Sequence, residues 1–239
     1  MISTAKLLYK LDMKLNKKTS LEHQSIPKED KILALNEAQI ALIKNKIDIN
    51  NLYGLGLDGF KKRYQDLQNL IVQFETLNVI PDTSAYPAFK ADLNTTNKKY
   101  FLPIDAYAIC SKDECKNRLI PILRPIKHGD LTTLMYNTHY TPSFEWQETF
   151  CVISGNDYII YTDGTFTVNS LGLSYLRYPQ KIDVAGYEDF DGTMSIDQDC
   201  ELEAYLEDEL LRLAIVELGM DTENVPVVQY DQIRSKNAE

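Results

Sequence analysis

Residues 149–178 read TFCVISGNDYIIYTDGTFTVNSLGLSYLRY, and this stretch decides the fold class. Its β-branched and aromatic runs are punctuated by Gly155-Asn156 and Asp163-Gly164. Such dipeptides supply the positive φ that a tight reversal needs. The spacing therefore predicts an antiparallel meander, with strands over Thr149 to Ser154, Asp157 to Thr162 and Thr165 to Val168, then Leu171 to Tyr178. The same texture reaches back to Tyr86. It predicts earlier strands at Lys99 to Ile109 and Leu119 to Ile126, a helical turn at Asp130 to Met135, and an ordered loop at Tyr140-Thr141-Pro142-Ser143.

Helical periods lie on both sides of this β region. Leu7, Leu8, Leu11 and Leu15 share one face of a first helix with Ser3 as its N-cap. A second helix starts after Pro27, carries Glu29 and Asp30 in its first turn, and places Ile32, Leu33, Ile40, Ile43 and Ile47 in a stripe. Phe60, Tyr64, Leu67, Ile71 and Phe74 predict a third helix through Leu77. An acidic connector over 183–198 leads to a fourth helix marked by Leu202, Leu206, Leu210, Leu213 and Val216, with Asp199, Glu201 and Glu203 complementing its N-terminal dipole and Gly219 as its stop. The expected fold class is α+β, with terminal amphipathic helices forming a bundle and a central antiparallel β domain inserted between them. The expected parts are a helical 1–80, a β domain over 81–195, and a returning helix and extended arm over 196–239.

Composition excludes some functions. With 44% hydrophobic and 25% charged residues, the chain reads as a folded globular protein. It has no run of transmembrane length and no apolar block of a secretory signal, so no membrane partner is expected. Four scattered cysteines suggest reduced thiols. The net charge of −10 is unevenly placed, with acids concentrated from Asp183 to Glu209 and lysines near the N-terminus. That polarity suits packing of one copy against another, and argues against sequence-reading of DNA, which needs clustered Lys and Arg.

Several motifs resemble catalytic signatures without their contexts. Gly54, Gly56 and Gly59 spell G-x-G-x-x-G with Glu75 downstream, but a helix and not a strand precedes them. Asp189, Asp191, Gly192 and Thr193 give the D-x-D-G-T spelling of an aspartyl-phosphate phosphatase, without the buried strand that would present it. The same acids miss the EF-hand pattern, with Met194 where Gly belongs and Cys200 where Glu belongs. Cys110 and Cys115 are spaced too widely for a zinc knuckle and have no second pair, and His128 and His139 form no H-E-x-x-H helix. The expectation is no catalytic residue, no metal and no cofactor. Trp146 with Phe144, Phe150, Tyr136 and Tyr140 suits a core or a subunit contact, with a glycan- or receptor-binding module as the alternative.

Four segments carry a family resemblance: Pro27 to Gln39, Tyr140 to Thr149, Tyr175 to Pro179, and Tyr205 to Leu210. They resemble the ring or connector proteins of crAss-like and related tailed phages of Bacteroidetes, and the general plan is similar to tail adaptors of short-tailed phages. The resemblance implies a virion structural subunit made in the host bacterial cytoplasm. It also implies a twelve-fold ring below the portal whose lumen passes double-stranded DNA without reading its sequence. Partners would be further copies, the portal, and other ring or tail proteins. On this reading Asp183, Glu188, Asp189, Asp191, Asp197 and Asp199 are candidate lumen or rim acids. Tyr140, Phe144, Trp146, Val225, Val227, Val228, Tyr230 and Ile233 are candidate portal or neighbour contacts.

Overall fold

A computed structural model describes residues 1–18, 26–47, 65–82, 85–113, 115–122, 125–188 and 192–221. Its helices are α1 (Thr4–Lys18), α2 (Lys28–Ile47), the short α3 (Leu131–Tyr136) and α4 (Glu207–Asp221). Its strands are β1 (Ile71–Asn78), β2 (Ile80–Asp82), β3 (Ala88–Asp92), β4 (Tyr100–Lys112), β5 (Cys115–Ile122), β6 (Cys151–Ser154), β7 (Asp157–Tyr161) and β8 (Thr167–Arg177). The fold is mixed helix and antiparallel sheet, as α+β requires. Two compact units divide it: Met1–Asn69 with Pro179–Glu239, and Leu70–Tyr178.

In the sheet unit, one antiparallel sheet has the order β1-β8-β4-β5 and the other β2-β3-β7-β6. Alternation along each strand turns one face inward, so Ala106, Ala108, Ile120, Leu171, Leu173 and Tyr175 of the first sheet share a core with Ala91, Cys151, Tyr158 and Ile160 of the second. The hairpin at Gly155-Asn156 forms as expected: Ser154 pairs with Asp157 around Gly155, whose φ is +61°. The meander does not continue. β7 already pairs with β3 on one side and β6 on the other, so no edge is left for the next strand. The turn at Asp163-Gly164 instead carries the chain into the other sheet. Gly164 sits at φ +81°, and the Asp163 carboxylate accepts the Thr165 N–H at 2.8 Å. The two strands expected over Thr165 to Val168 and Leu171 to Tyr178 are one strand, β8, paired to both β1 and β4.

A second correction concerns the expected third helix. Its first part lies outside the described residues, but Ile71–Asn78 is strand β1, antiparallel to β8. Ile71, Val72, Phe74 and Leu77 fit a helical stripe, and three of them are also β-branched or aromatic, so pairing with a central strand decides between the two. The register shifts between Val72 and Glu75, with Phe74 at φ +44°.

In the helical unit, α4 packs on α2 and on α1. Leu7 and Leu11 of α1, Leu35, Leu42 and Ile43 of α2, and Leu210, Leu211 and Ala214 of α4 are fully buried. Of the stripe expected on α2, Ile32 and Ile43 are buried and Leu33 faces outward, while Leu35, Ala38, Gln39 and Leu42 complete the inward face. Gly219 does not stop α4, which runs to Asp221. Asn36 of α2 pins the returning chain. Its amide oxygen accepts the Ile182 N–H at 2.8 Å, and its amide nitrogen donates to the Ile182 carbonyl at 2.9 Å. The N-terminus closes the unit through a two-bond bridge between Ile2 and Cys200.

Candidate functional site

The acidic segment after the sheet unit is built as a hairpin. Asp183 bridges to Gln198 and Glu188 to Met194, and the Ser195 N–H donates to the Tyr187 carbonyl while the Tyr187 N–H donates to the Ser195 hydroxyl. Two of its described acids satisfy backbone donors. Asp183 accepts the Val184 N–H at 2.8 Å and the Tyr187 hydroxyl, and Asp197 accepts the Ala185 N–H at 2.9 Å. Asp199, expected at the start of α4, instead caps α1 by accepting the Thr4 N–H at 2.9 Å. The first turn of α4 carries its own acids, Glu207, Asp208 and Glu209. Glu188 is exposed on the hairpin. Asp189 and Asp191 lie outside the described residues.

The sequence polarity between lysines and acids is partly neutralised within the chain. Lys6, Lys10 and Lys14 recur every four residues along α1, so they share a face. Lys6 and Lys10 meet Glu207 at 2.9 and 2.8 Å, and Lys14 meets Asp208 at 2.8 Å. Glu207 is buried. Burial alone would raise its carboxyl, but Lys10 and Lys6 hold it below the usual carboxylate range. The hydrogen bond and charge of Lys14 lower Asp208 in the same direction. Lys46 adds a pair with Glu209 at 2.9 Å.

The aromatic loop separates into an anchor and displayed rings. Phe144 is 3% exposed. Its ring packs at 5.9 Å from that of Phe166, and Arg118 lies over its face while donating to its carbonyl at 3.1 Å. Phe144 therefore belongs to the sheet core and is not displayed to a neighbour. Trp146 is 81% exposed, and Tyr140 and Tyr136 also face outward. A Ser143–Glu148 bridge and a Lys112–Glu145 pair at 2.6 Å hold the turn that presents Trp146. That lysine's hydrogen bond lowers the Glu145 carboxyl. Val225, Val227, Val228, Tyr230 and Ile233 lie outside the described residues.

The other motifs take structural places. Gly54, Gly56 and Gly59 lie outside the described residues. Glu75 sits on β1, where it accepts the Asn97 N–H and the Tyr175 hydroxyl, each at 2.7 Å. Cys110 is buried and Cys115 exposed near one β-hairpin, and His128 Nε2 stands 3.0 Å from the Ile153 carbonyl. Burial pushes the thiols of Cys110 and Cys151 up to about 12 and that of Cys200 to about 11, which keeps them protonated and poor nucleophiles. Among the described residues no group of three His, Cys, Asp or Glu could hold a metal ion, and no helix is long and apolar enough to cross a membrane.

Sequence reasoning missed two displayed side chains, Met194 and Ile196, at 69% and 67% exposure on the acidic hairpin. The signal available was their spacing of two around Ser195, which marks alternation in extended chain.

These sites consist of displayed rings, an acidic hairpin and an ionic seam. No curated protein matches the sequence. Residues 3–225, nearly the whole chain, match the family described as phage tail ring protein 3/4. The chain belongs to this crAss-like phage tail ring protein family, a family of virion structural proteins.

Proposed function

We propose that the chain is one of twelve subunits of a closed ring in the head-tail connector, below the portal, around a channel that passes double-stranded DNA. The family match over residues 3–225 carries this reading. The insertion of the sheet unit Leu70–Tyr178 between the two halves of the helical unit supports a tail adaptor plan, in which bundled terminal helices build the ring and the β module meets neighbours. Partners are further copies, the portal and other ring or tail proteins. The chain is made in the host bacterial cytoplasm before assembly.

On this proposal Tyr140 and Trp146 contact neighbouring subunits or the portal, as do Val225, Val227, Val228, Tyr230 and Ile233 of the terminal segment. Displayed aromatic rings give large contact area at small entropic cost, which favours them in interfaces. The acids Asp183, Glu188, Asp189, Asp191, Asp197 and Asp199 belong at the channel rim, where negative charge keeps the genome from sticking, whereas Glu207, Asp208 and Glu209 are taken up by lysines of the same chain. Rim and not wall is favoured because Met194 and Ile196 are displayed among those acids, and apolar side chains gain more from protein contact than from facing a water-filled channel. Electron cryomicroscopy of the purified virion tests the proposal. The expected image is twelve copies around an axial channel, touching the portal or one layer below it. Copies located at a fibre or on the capsid surface would overturn it.

A further inference from the structure

We propose that the acidic hairpin of one copy docks on a basic aromatic patch of the sheet unit of the next copy. This rests on the ring reading above and names the surfaces that would carry it.

The hairpin displays its apolar side chains by construction. Ser195 is buried, with both its N–H and hydroxyl committed to Tyr187. Neighbours in extended chain point to opposite sides, so an inward Ser195 forces Met194 and Ile196 outward. Glu188, directly across from Met194, adds an exposed carboxylate beside them. The hairpin is therefore a fixed edge bearing a thioether, a branched aliphatic chain and a negative charge.

The sheet unit carries the matching chemistry. Phe101 and Tyr178 stack with centroids 4.5 Å apart, and Lys99 Nζ lies 4.8 Å from the Tyr178 ring centre. The Tyr178 N–H donates to the Lys99 carbonyl at 2.9 Å, which fixes the lysine beside the ring. Lys98 and Lys99 are exposed. Among the described residues neither makes an ion pair, which is also true of the exposed Lys28, Lys44 and Lys127; what distinguishes Lys98 and Lys99 is the ring pair beside Lys99. A methionine sulfur is favoured at an aromatic ring, and Glu188 complements the two ammonium groups. In a chain of net charge −10, a negative element is directed toward local positive charge, since like charges elsewhere oppose its approach. The two surfaces differ, so the contact is heterologous, the kind that a cyclic ring repeats from copy to copy.

The test is sedimentation velocity of the full chain across a concentration series. Wild-type protein should self-associate, and Glu188→Lys and Lys99→Glu should each weaken association about tenfold. An equimolar mixture of the two variants should regain association. Alternating copies then set the lysine introduced at position 188 against the glutamate introduced at position 99 at one contact, and the native pair at the next. A contact inside one chain gives no such recovery. Met194→Ser with Ile196→Ser should also weaken association while circular dichroism stays unchanged. Wild-type strength in the single variants, failure of the mixture to recover, or a wild-type chain that stays monomeric would each overturn this contact. The ring itself is decided separately by the virion image.

Discussion

Gly172 lies mid-strand in β8, directly opposite Tyr107 of β4, and replacing it with alanine tests how the outer face of this sheet is packed. An added Cβ would stand 2.5 and 2.7 Å from the Cε1 and Cε2 atoms of the Tyr107 ring, and closer still to Cζ. Contacts that short do not persist, so the ring must shift by roughly 1 Å or more. Tyr107 also packs on Phe74 at 5.5 Å, a ring pair worth about 0.5–1.5 kcal/mol. Overpacking adds about 1–3 kcal/mol. Gly172 has an ordinary strand φ, so the new methyl brings no backbone strain, and restricting the unfolded chain returns about 0.5 kcal/mol. The expected net loss is about 2–3 kcal/mol, or roughly 8–12 °C in Tm for a domain of this size. Calorimetry gives the shift, and amide exchange across β4 and β8 localises it. In a Tyr107→Ala background the space over Gly172 is empty, so Gly172→Ala should become neutral or slightly stabilising there. An unshifted Tm for Gly172→Ala, or an equal loss in both backgrounds, would refute the steric account.

Two further outcomes follow from the ionic seam and the cysteines. Lys10, Lys6 and Lys14 hold the carboxyls of Glu207 and Asp208 below their usual values in the folded chain. A depressed folded pKa means that the unfolded chain binds more protons in acid. The seam's contribution is therefore complete above the usual carboxylate range and is lost as pH falls through the folded values. Amide protection of α1 should fall below about pH 4, and Glu207→Gln, at a cost of about 1 kcal/mol, should flatten that profile; an unchanged profile would contradict the assignment. Of the four cysteines, only Cys115 is exposed. Native protein treated with maleimide should gain one adduct, at Cys115 by mass spectrometry, and the other three only on unfolding.

Legibility in the sequence followed the locality of the cause. The turn at Gly155-Asn156 is readable because two residues set it, and α1 because its apolar spacing survives any partner. For α4 the helix is readable but not its face, which buries Leu211, Ala214, Ile215 and Leu218 while Leu213 and Val216 of the expected stripe are half-buried. The strand β1 is not readable, since Ile71, Val72 and Phe74 suit either period and only β8, about a hundred residues away in sequence, selects one. The switch of sheets after Asp163-Gly164 was hidden for a similar reason: nothing local reports that both sides of β7 are taken. Asp199 lies near the fourth helix in sequence, yet it caps α1 from 195 residues away. Among candidate contacts, the aromatic character of Phe144 and Trp146 was visible. Which ring is buried depends on Arg118 and Phe166, which sequence spacing does not bring together.

The sheet edges bear on how copies can join. A free, flat edge offers N–H and C=O groups to any passing strand and grows without closing. Here β1 is broken by the left-handed Phe74 and a register shift. β5 contains the left-handed Asn117, and its Pro121 has no N–H to donate. β2 is only three residues long and contains Pro81. Pro125 bridges to Cys151 of β6, and the Ile126 N–H donates to the Cys151 carbonyl at 2.8 Å, so part of that edge is already covered. Among the described residues, each sheet edge thus resists strand addition by a different local device, and association through continued sheets is disfavoured at all four. Side-chain surfaces remain as the means of joining copies. The angle between the two faces that meet then decides whether the assembly closes, so a change in ring size would originate in side-chain contacts, such as the one proposed for Met194 on Tyr178 of the next copy, and not in backbone ladders.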